Sequence, residues 1–286
     1  MALEKVHNIL RMAEQANTAV ISFMCADFNM AYAVVRTAEK TNTPALVMLL
    51  PEYLETQTFR TANLGGYAQM VRELAADVKV PVGLHLDHSY DYASIMTAIR
   101  RGFGSVMIDG SALPLEGNIA LTRKVAETAH LFGADVEAEI GHVGLASEKA
   151  EEDTDLYTKP DAAGKFCAET GIDALAIAIG NAHGDYHETP HLDIPRLEAI
   201  NAATDTPLVL HGGSGIPDQQ LEVAFRKGVN KFNLGTEFLN TYYAAVESFV
   251  RENAGDPRSL KALDLPAYTQ DRMEGYLAGR MALCHF

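Results

Sequence analysis

The fold is indicated most clearly by residues 105–140, which read SVMIDG SALPLEGNIA LTRKVAETAH LFGADVEAEI. A short apolar run at each end has the length of a buried strand. Between the two runs Ile119, Val125 and Ala126 recur at spacings near one helical turn, and they predict a helix over 118–132. A strand, a helix and a strand in this order are typical of a parallel sheet.

The same pattern recurs along the whole chain. Proline starts and glycine stops mark two of the helical stretches, one between Pro217 and Gly228 and one between Pro160 and Gly171. Eight strands alternating with helices predict an α/β fold, a (β/α)₈ TIM barrel with extra C-terminal helices, formed by residues 1–286 as a single domain. The predicted strands cover 19–24, 45–50, 82–86, 105–108, 135–140, 174–179, 208–210 and 231–234.

The composition argues against several classes of function. With 48% hydrophobic and 21% charged residues, the 286-residue chain can bury a sizeable core. Its formal net charge of -15 repels the phosphate backbone of nucleic acid and an anionic membrane surface. No run reaches the roughly 18 apolar residues of a membrane span, and no apolar signal core follows Met1. Three cysteines suit a reducing compartment, so we expect a cytoplasmic protein with neither nucleic acid nor membrane as partner.

Polar side chains cluster where the predicted strands end, and in a barrel of this type those ends share one mouth. Histidines follow the third, sixth and seventh strands, and three neutral imidazoles with one open position suit a catalytic zinc. A single histidine at such a place is more often structural than a metal ligand. The full set is His85, Asp87, His88, Asp109, Glu137, Glu139, His183, His211 and Asn233.

Two glycine-rich segments, 182–184 (AHG) and 211–215 (HGGSG), also lie at predicted strand ends. Unhindered backbone N–H groups at such turns can hold a phosphate, commonly after the last barrel strands. Most short glycine runs are simply turns. The adjacent histidines favour the phosphate interpretation here.

Six ordered motifs carry a family resemblance. The chain resembles the zinc-dependent class II ketose-bisphosphate aldolases, with the tagatose/fructose-bisphosphate type as the nearest branch, over nearly its whole length. The motifs are HLDH (85–88), SVMIDGS (105–111), VEAEIG (136–141), AIGNAHG (178–184), LVLHGGSG (208–215) and KFN (231–233).

This resemblance implies a role for each matching residue. His88, His183 and His211 would bind zinc, and Asp87 would exchange a proton with the hydroxyl formed at the new carbon–carbon bond. A monovalent cation is a second candidate cofactor. Asp109 and Glu139 match a second cation position or an alternate place for the zinc. The matches to substrate or phosphate contacts are Gly184, His187, Gly212, Gly213, Ser214, Asn233, Gly235 and Thr236.

Each of these carboxylate and amide residues has an ordinary structural alternative. Asp87 could cap the helix that follows it, although Asp91 could cap that helix instead. Glu139 could be an outward or salt-bridged strand carboxylate, and Asn233 a turn residue. The resemblance also implies a homodimer or homotetramer that acts on a small-molecule ketose phosphate.

The loop after the fifth strand departs from the family pattern Glu-Leu-Gly-x-x-Gly-Gly-x-Glu-Asp. Leu145 replaces the second glycine, and Ser147 replaces the glutamate that acts at C3. A serine cannot replace a carboxylate base at neutral pH, so Glu148 is the predicted base, with Glu151 or Glu152 behind it and His142 also in reach. The acidic stretch 147–155 is a candidate lid or a solvated loop.

The residues expected to bind the distal end of the substrate also differ from the family pattern. His187 replaces the lysine that faces the C1 phosphate. Leu239 replaces the arginine or lysine that holds the C6 phosphate from across a subunit contact. Met24 replaces an asparagine near the first strand. We therefore expect a distal substituent other than a standard C6 phosphate, as in a ketose 1-phosphate, a sulfonated sugar or an unphosphorylated ketose. Arg272 or Arg280 near the C-terminus could restore a cation from another strand of the assembly, which would still allow a bisphosphate substrate.

These observations predict a class II metal-dependent aldolase that cleaves a phosphorylated or modified ketose to dihydroxyacetone phosphate and an aldehyde. One alternative is another metal-dependent reaction on the same scaffold, such as an enolisation or a decarboxylation. Another is a sugar-phosphate-binding subunit that has lost its base, which Ser147 would favour.

Overall fold

The structure, a computed structural model, describes residues 3–50, 64–141, 143–144, 156–184, 186, 188–254 and 259–286. Its eight strands are all parallel and pair in chain order, and the last pairs with the first to close a barrel. This confirms the predicted TIM barrel, and every predicted strand is present. The strands are β1 (Val20–Met24), β2 (Ala45–Leu49), β3 (Val82–Ser89), β4 (Ser105–Ile108), β5 (Asp135–Ile140), β6 (Ala174–Ile177), β7 (Leu208–Leu210) and β8 (Val229–Leu234).

Helices surround the barrel, and ten α-helices lie within the ranges just given. A short 3₁₀ helix, Ser259–Leu263, precedes the last of them. The α-helices are α1 (Val6–Gln15), α2 (Phe28–Thr41), α3 (Leu64–Ala76), α4 (Tyr92–Arg100), α5 (Leu115–Leu131), α6 (Pro160–Thr170), α7 (Ile194–Asn201), α8 (Asp218–Arg226), α9 (Thr236–Glu252) and α10 (Leu265–Met281).

Local sequence signals explain several helix ends. Pro160 opens α6, and Gly171 ends it at φ +67°, a left-handed conformation that glycine adopts without strain. Asp91 caps α4, because its carboxylate accepts bonds from the backbone N–H groups of Ala93 and Ser94. The cap is therefore Asp91, which leaves Asp87 free for another role.

The N-terminal end of the barrel is closed by an apolar cluster. Side chains of α1 pack there against inward residues of five strands. Gly83 permits this approach, because a Cβ on it would lie 2.6 Å from the Leu46 side chain and 3.1 Å from Val6.

The predicted extra helix is α10, which packs against α2 and α9. Among the residues that the structure describes, no helix combines the length and the apolar character needed to cross a membrane.

Candidate active site

An irregularity in β3 brings two consecutive site residues to the mouth. Leu86 pairs with Val106 and Ser89 with Ile108, so β3 has one residue more than β4 between these pairs. Such a bulge re-aims side chains, and strands near active sites often carry one. Asp87 and His88 consequently both line the same cavity, although adjacent strand residues normally face opposite sides.

Three histidine rings meet at this mouth from β3 and from the segments after β6 and β7. The ring centroid of His88 lies 5.1 Å from that of His183 and 4.8 Å from that of His211. His88 Nε2 and His211 Nδ1 are 3.0 Å apart, and one nitrogen of each ring lies within 4.8 Å of the others. Nitrogens bound to tetrahedral zinc lie about 3.3 Å apart, so the three rings fit such an ion.

A carboxylate holds the outer nitrogen of His88. Asp109 Oδ2 lies 2.9 Å from His88 Nδ1, while Asp109 Oδ1 accepts a bond from the backbone N–H of Ser111. Burial alone would lower the pKa of His88, but Asp87, Asp109 and Glu139 outweigh it and raise that pKa to about 10. The ring is thus fixed with Nε2 toward His211.

His183 lies in a different electrostatic setting. Burial, with help from His211 and His88, lowers its pKa to about 3, so the ring is neutral at pH 7. A neutral imidazole is the form that binds a metal.

Asp87 lies beside the predicted amide. Asn233 Nδ2 donates to Asp87 Oδ1 at 3.1 Å, which orients the carboxylate. Burial would raise the pKa of Asp87, but the positive neighbours, His88 first, lower it overall. Asp87 is therefore an ionised carboxylate held within the cavity, suited to accept a proton.

Glu139 is buried and only partly satisfied. Its Oε1 accepts a bond from the Val143 N–H at 3.2 Å, and its Oε2 has no hydrogen-bond partner among the described residues. Burial raises the pKa of Glu139 to about 8. With His88 and Asp109 it forms a second group able to hold a cation, as the resemblance implied for the two carboxylates.

The glycine-rich segments form one wall of the cavity. A Cβ on Gly212 would lie 2.1 Å from the Ala182 carbonyl oxygen, and one on Gly213 would lie 1.9 Å from the Phe232 ring. Only glycine fits at either place, so bare backbone faces the cavity. Of the residues predicted to contact substrate, all those that the structure describes line this cavity: Gly184, Gly212, Gly213, Ser214, Asn233, Gly235 and Thr236.

Glu237 fastens this wall to α9, a role that the sequence analysis missed. Its Oε1 accepts the Gly215 N–H at 2.8 Å, and its own N–H donates to Ser214 Oγ at 3.2 Å. Its Oε2 accepts from Tyr276 of α10 at 2.7 Å. The sequence alone does not reveal this role, because the partners of Glu237 belong to separate elements and no known motif links them.

The cavity has a volume of about 640 Å³ and two unlike halves. The metal half is lined by Asp87, Glu139, His88, His183 and the glycine wall, and the fully buried His211 lies directly behind His88. The distal half lies above β1 and β2, and none of the described lining residues of the cavity is lysine or arginine. The distal half consists of Met24, Met48, Leu50, Tyr90 and Leu239.

Within this chain, Arg272 and Arg280 contact other residues, and their supply of a cation from another strand of the assembly stays a prediction. Arg280 Nη1 lies 2.8 Å from Asp218 Oδ1, and Arg272 lies 3.5 Å from the centre of the Tyr268 ring. Neither lines the cavity.

Several predicted residues lie outside the described residues, so their roles remain predictions. They are the candidate base Glu148, its alternatives His142, Glu151 and Glu152, the neighbouring Leu145 and Ser147, and His187.

Comparisons with known proteins identify the family of the chain. The sequence profile described as fructose-bisphosphate aldolase class-II matches residues 4–285. The D-tagatose-1,6-bisphosphate aldolase subunit GatY of Klebsiella oxytoca is 37% identical over 255 residues, which cover 88% of each chain.

Two solved structures extend the likeness to the fold. The YdjI aldolase of Escherichia coli K12 matches with a TM-score of 0.85 and 29% identity over 99% of this chain and 97% of its own. A putative fructose-1,6-bisphosphate aldolase of Coccidioides immitis matches with a TM-score of 0.83 and 28% identity over 98% of this chain and 96% of its own. The chain therefore belongs to the class II fructose-bisphosphate aldolase family and is an aldolase, a carbon–carbon lyase.

Proposed function

We propose that the protein is a zinc-dependent aldolase that cleaves the C3–C4 bond of a ketose phosphate into dihydroxyacetone phosphate and an aldehyde. One observation carries this proposal: three imidazoles converge next to an ionised, oriented carboxylate inside one cavity with a glycine wall. Membership of the aldolase family supports the same reaction class.

The zinc would be held by His88, His183 and His211. Zinc bound there would act as a Lewis acid toward the carbonyl and adjacent hydroxyl oxygens of the ketose, stabilising the negative charge left at C3. Asp109 and Glu139, with His88, would provide the second cation position. A monovalent cation remains a candidate without an assigned site.

Asp87 would accept the proton of the C4 hydroxyl. As that proton leaves, the C4–O bond becomes a carbonyl, the C3–C4 bond breaks and its electron pair remains on C3. The bond from Asn233 and the lowered pKa of Asp87 keep the carboxylate oriented and unprotonated for this step.

A second acid–base group must return a proton to C3 to complete cleavage. We assign this step to Glu148, with Glu151 or Glu152 as substitutes. The carboxylic acid would protonate C3 during cleavage, and the carboxylate would remove that proton during condensation.

One phosphate would lie against the glycine wall. The absence of side chains at Gly212 and Gly213 brings backbone close to the cavity, and α9 begins at the same wall with Thr236. The N-terminus of a helix attracts an anion through its free N–H groups. Gly184, Ser214 and the backbone at 235–236 would complete the contacts.

The distal end of the substrate would carry no standard C6 phosphate. The apolar side chains of the distal half offer no donor comparable to a lysine or an arginine, and a phosphate stripped of water needs charge-assisted partners. A ketose 1-phosphate, or a ketose with a modified distal group, fits such a surface better than a bisphosphate.

The decisive experiment is a cleavage assay on zinc-loaded protein with fructose 1,6-bisphosphate, tagatose 1,6-bisphosphate and fructose 1-phosphate. We expect about one zinc per chain, removed by a chelator with loss of activity and restored with its return. Triose release from the monophosphate at a higher kcat/KM than from either bisphosphate supports both parts of the proposal. Preference for a bisphosphate would overturn the distal part, and no triose from any ketose phosphate would overturn the lyase assignment.

We also propose a homodimer or homotetramer. On α9, Tyr243 and Val250 are 72% and 61% exposed, which leaves apolar surface for a second copy. Light scattering on purified protein would measure the assembly directly, and a monomer would contradict this part.

A further inference from the structure

A charged layer lies inside the barrel beneath the three histidines. It consists of His85 on β3, Glu137 on β5 and Lys231 on β8, all of which are at most 1% exposed. Glu137 precedes Glu139 by two residues and Lys231 precedes Asn233 by two, so each shares the inward face of its strand with a site residue. This layer separates the metal half of the cavity from the apolar cluster at the closed end.

The layer is connected to the proposed metal site by two short contacts in series. Lys231 Nζ donates to Glu137 Oε2 at 2.7 Å. The other oxygen, Glu137 Oε1, lies 2.9 Å from His211 Nε2. Glu137 thus joins a buried ammonium group to the ring of His211.

This contact determines which nitrogen of His211 can bind a metal. Two groups face His211 Nε2: the Glu137 carboxylate at 2.9 Å and the Asn233 amide nitrogen at 3.2 Å. A carboxylate only accepts hydrogen bonds, and a hydrogen bond to a charged group is the stronger of the two, so this nitrogen carries the proton toward Glu137. The lone pair is then on Nδ1, which faces His88 Nε2 at 3.0 Å. Without the carboxylate, the ring would be free to place the proton on Nδ1 and withdraw that lone pair.

His88 shows the opposite arrangement at the same point. Asp109 contacts its Nδ1, so His88 directs Nε2 inward while His211 directs Nδ1 inward. Two carboxylates, Asp109 directly after β4 and Glu137 on β5, therefore select opposite nitrogens of the two rings. Histidine ligands commonly owe their orientation to such partners.

Lys231 stabilises the carboxylate that makes this selection. An ionised carboxylate buried this deeply is strongly unfavourable unless a positive partner compensates it. His85 does not fill that role, because its Nδ1 contacts Ser105 Oγ and its Nε2 is 3.9 Å from the nearest oxygen of Glu137. The ammonium group of Lys231 is the cation in direct contact with Glu137.

We propose that Lys231 and Glu137 are positioning residues for His211, which fix its Nε2–H tautomer and ring orientation and thereby set the metal affinity. This inference rests on the proposed metal site and adds two residues to it. Loss of such a partner typically weakens metal binding about 10- to 100-fold.

The test compares two double substitutions that both remove the buried charge pair. Glu137→Leu with Lys231→Met removes the acceptor, whereas Glu137→Gln with Lys231→Met keeps an oxygen within reach of His211. The control is Lys227→Met, which breaks an exposed lysine–glutamate pair at Glu198. Zinc affinity is measured by competition with a chelator, and the absorption spectrum of the cobalt-loaded protein reports the ligand geometry.

We expect the leucine double variant to bind zinc about 10- to 100-fold more weakly than wild type and to alter the cobalt spectrum. The glutamine double variant should recover most of the affinity, and the control should match wild type. A folded leucine double variant with wild-type zinc affinity would overturn the inference while leaving the proposed aldolase intact. Failure of the wild-type protein to bind zinc would instead overturn the proposed metal site itself, and this inference with it.

A measurement on the wild-type protein covers the case in which these variants do not fold. Nitrogen NMR of ¹⁵N-histidine-labelled, zinc-loaded protein distinguishes a protonated ring nitrogen from a metal-bound one. The inference requires a proton on His211 Nε2 and metal on Nδ1, with the reverse at His88. A proton on His211 Nδ1 would overturn it.

Discussion

The two halves of the cavity are built from opposite kinds of side chain. In the metal half buried polar side chains contact one another, as in the pairs His88–Asp109 and Asp87–Asn233. The distal half presents methionine, leucine and tyrosine side chains, with Leu239 where the family usually has a cation. The contrast supports the proposal that this chain keeps the reaction of its family and binds a different distal group.

Physical chemistry explains why the two halves can diverge independently. The metal half depends on a chain of buried hydrogen bonds, and removing one partner leaves another buried polar group unsatisfied. Exchanging an apolar side chain at the rim of a pocket disturbs no such network. The distal half can therefore change with the substrate while the metal half stays constant.

Loss of a zinc ligand should have the largest effect. His183→Ala removes one of three nitrogens, and we expect activity to fall by about 10³-fold or more because several kcal/mol of charge stabilisation disappears. Zinc content and triose release are measured together. The matched control is His130→Ala, whose side chain is 42% exposed and pairs with Asp173. Full activity in His183→Ala would contradict the assignment of His183 as a zinc ligand.

Removal of the proposed acid–base carboxylate comes next. Asp87→Asn keeps the shape of the side chain but cannot accept the C4 hydroxyl proton, so kcat should fall about 10²- to 10⁴-fold. Zinc content should be unchanged. Asp91→Asn serves as the control, because asparagine also caps a helix and Asp91 lies outside the cavity lining. An unchanged kcat in Asp87→Asn would assign the proton transfer to another residue.

The loop base gives a somewhat smaller expected effect. Glu148→Gln should lower turnover by about 10²-fold, because an amide cannot exchange a proton with C3. Exchange of the C3 proton of dihydroxyacetone phosphate with solvent isolates this step. Glu151→Gln and Glu152→Gln are the comparison variants, and the variant that loses exchange identifies the base.

A cation introduced into the distal half tests whether this half sets the preference for the distal group of the substrate. Leu239→Arg should raise the kcat/KM ratio of bisphosphate to monophosphate about 10- to 100-fold, since a hydrogen bond to a charged group contributes about 1.5–3 kcal/mol. Leu239→Met, which keeps the surface apolar, should leave the ratio unchanged. No change with arginine would place the distal group of the substrate elsewhere.

Per pH unit, the smallest expected effect is the pH dependence of metal binding. The pKa of His88 in the metal-free protein is raised to about 10, and zinc requires its unprotonated form. Each zinc bound below that pH therefore displaces a proton, and the apparent affinity should rise about tenfold per pH unit. Chelator competition at several values between pH 6 and 9 measures the slope. A flat profile would contradict the assigned charge of His88.

The sequence was sufficient for the barrel because its signals are local. Apolar runs identified all eight strands, and Pro160 and Gly171 marked the ends of α6 at the observed residues. Strand β6 is shorter than predicted, since it ends at Ile177 rather than at residue 179. Strand ends frequently differ in this way because side-chain patterns do not show where pairing stops.

The connections within the site needed three-dimensional information. The bulge in β3 depends on pairing with β4, and nothing in the HLDH motif reveals the extra residue. Lys231 could have been suspected, because a lysine inside a buried strand requires a negative partner, but its partner Glu137 is 94 residues away. Long-range contacts of this kind depend on barrel closure rather than on local sequence.

Anomalous diffraction at the zinc edge from zinc-loaded crystals tests the central claim most directly. The account predicts one strong peak about 2.0–2.1 Å from a nitrogen of each of His88, His183 and His211. The contacting atoms should include His88 Nε2 and His211 Nδ1. The absence of a peak among these three rings, or three rings directed away from a common point, would contradict it.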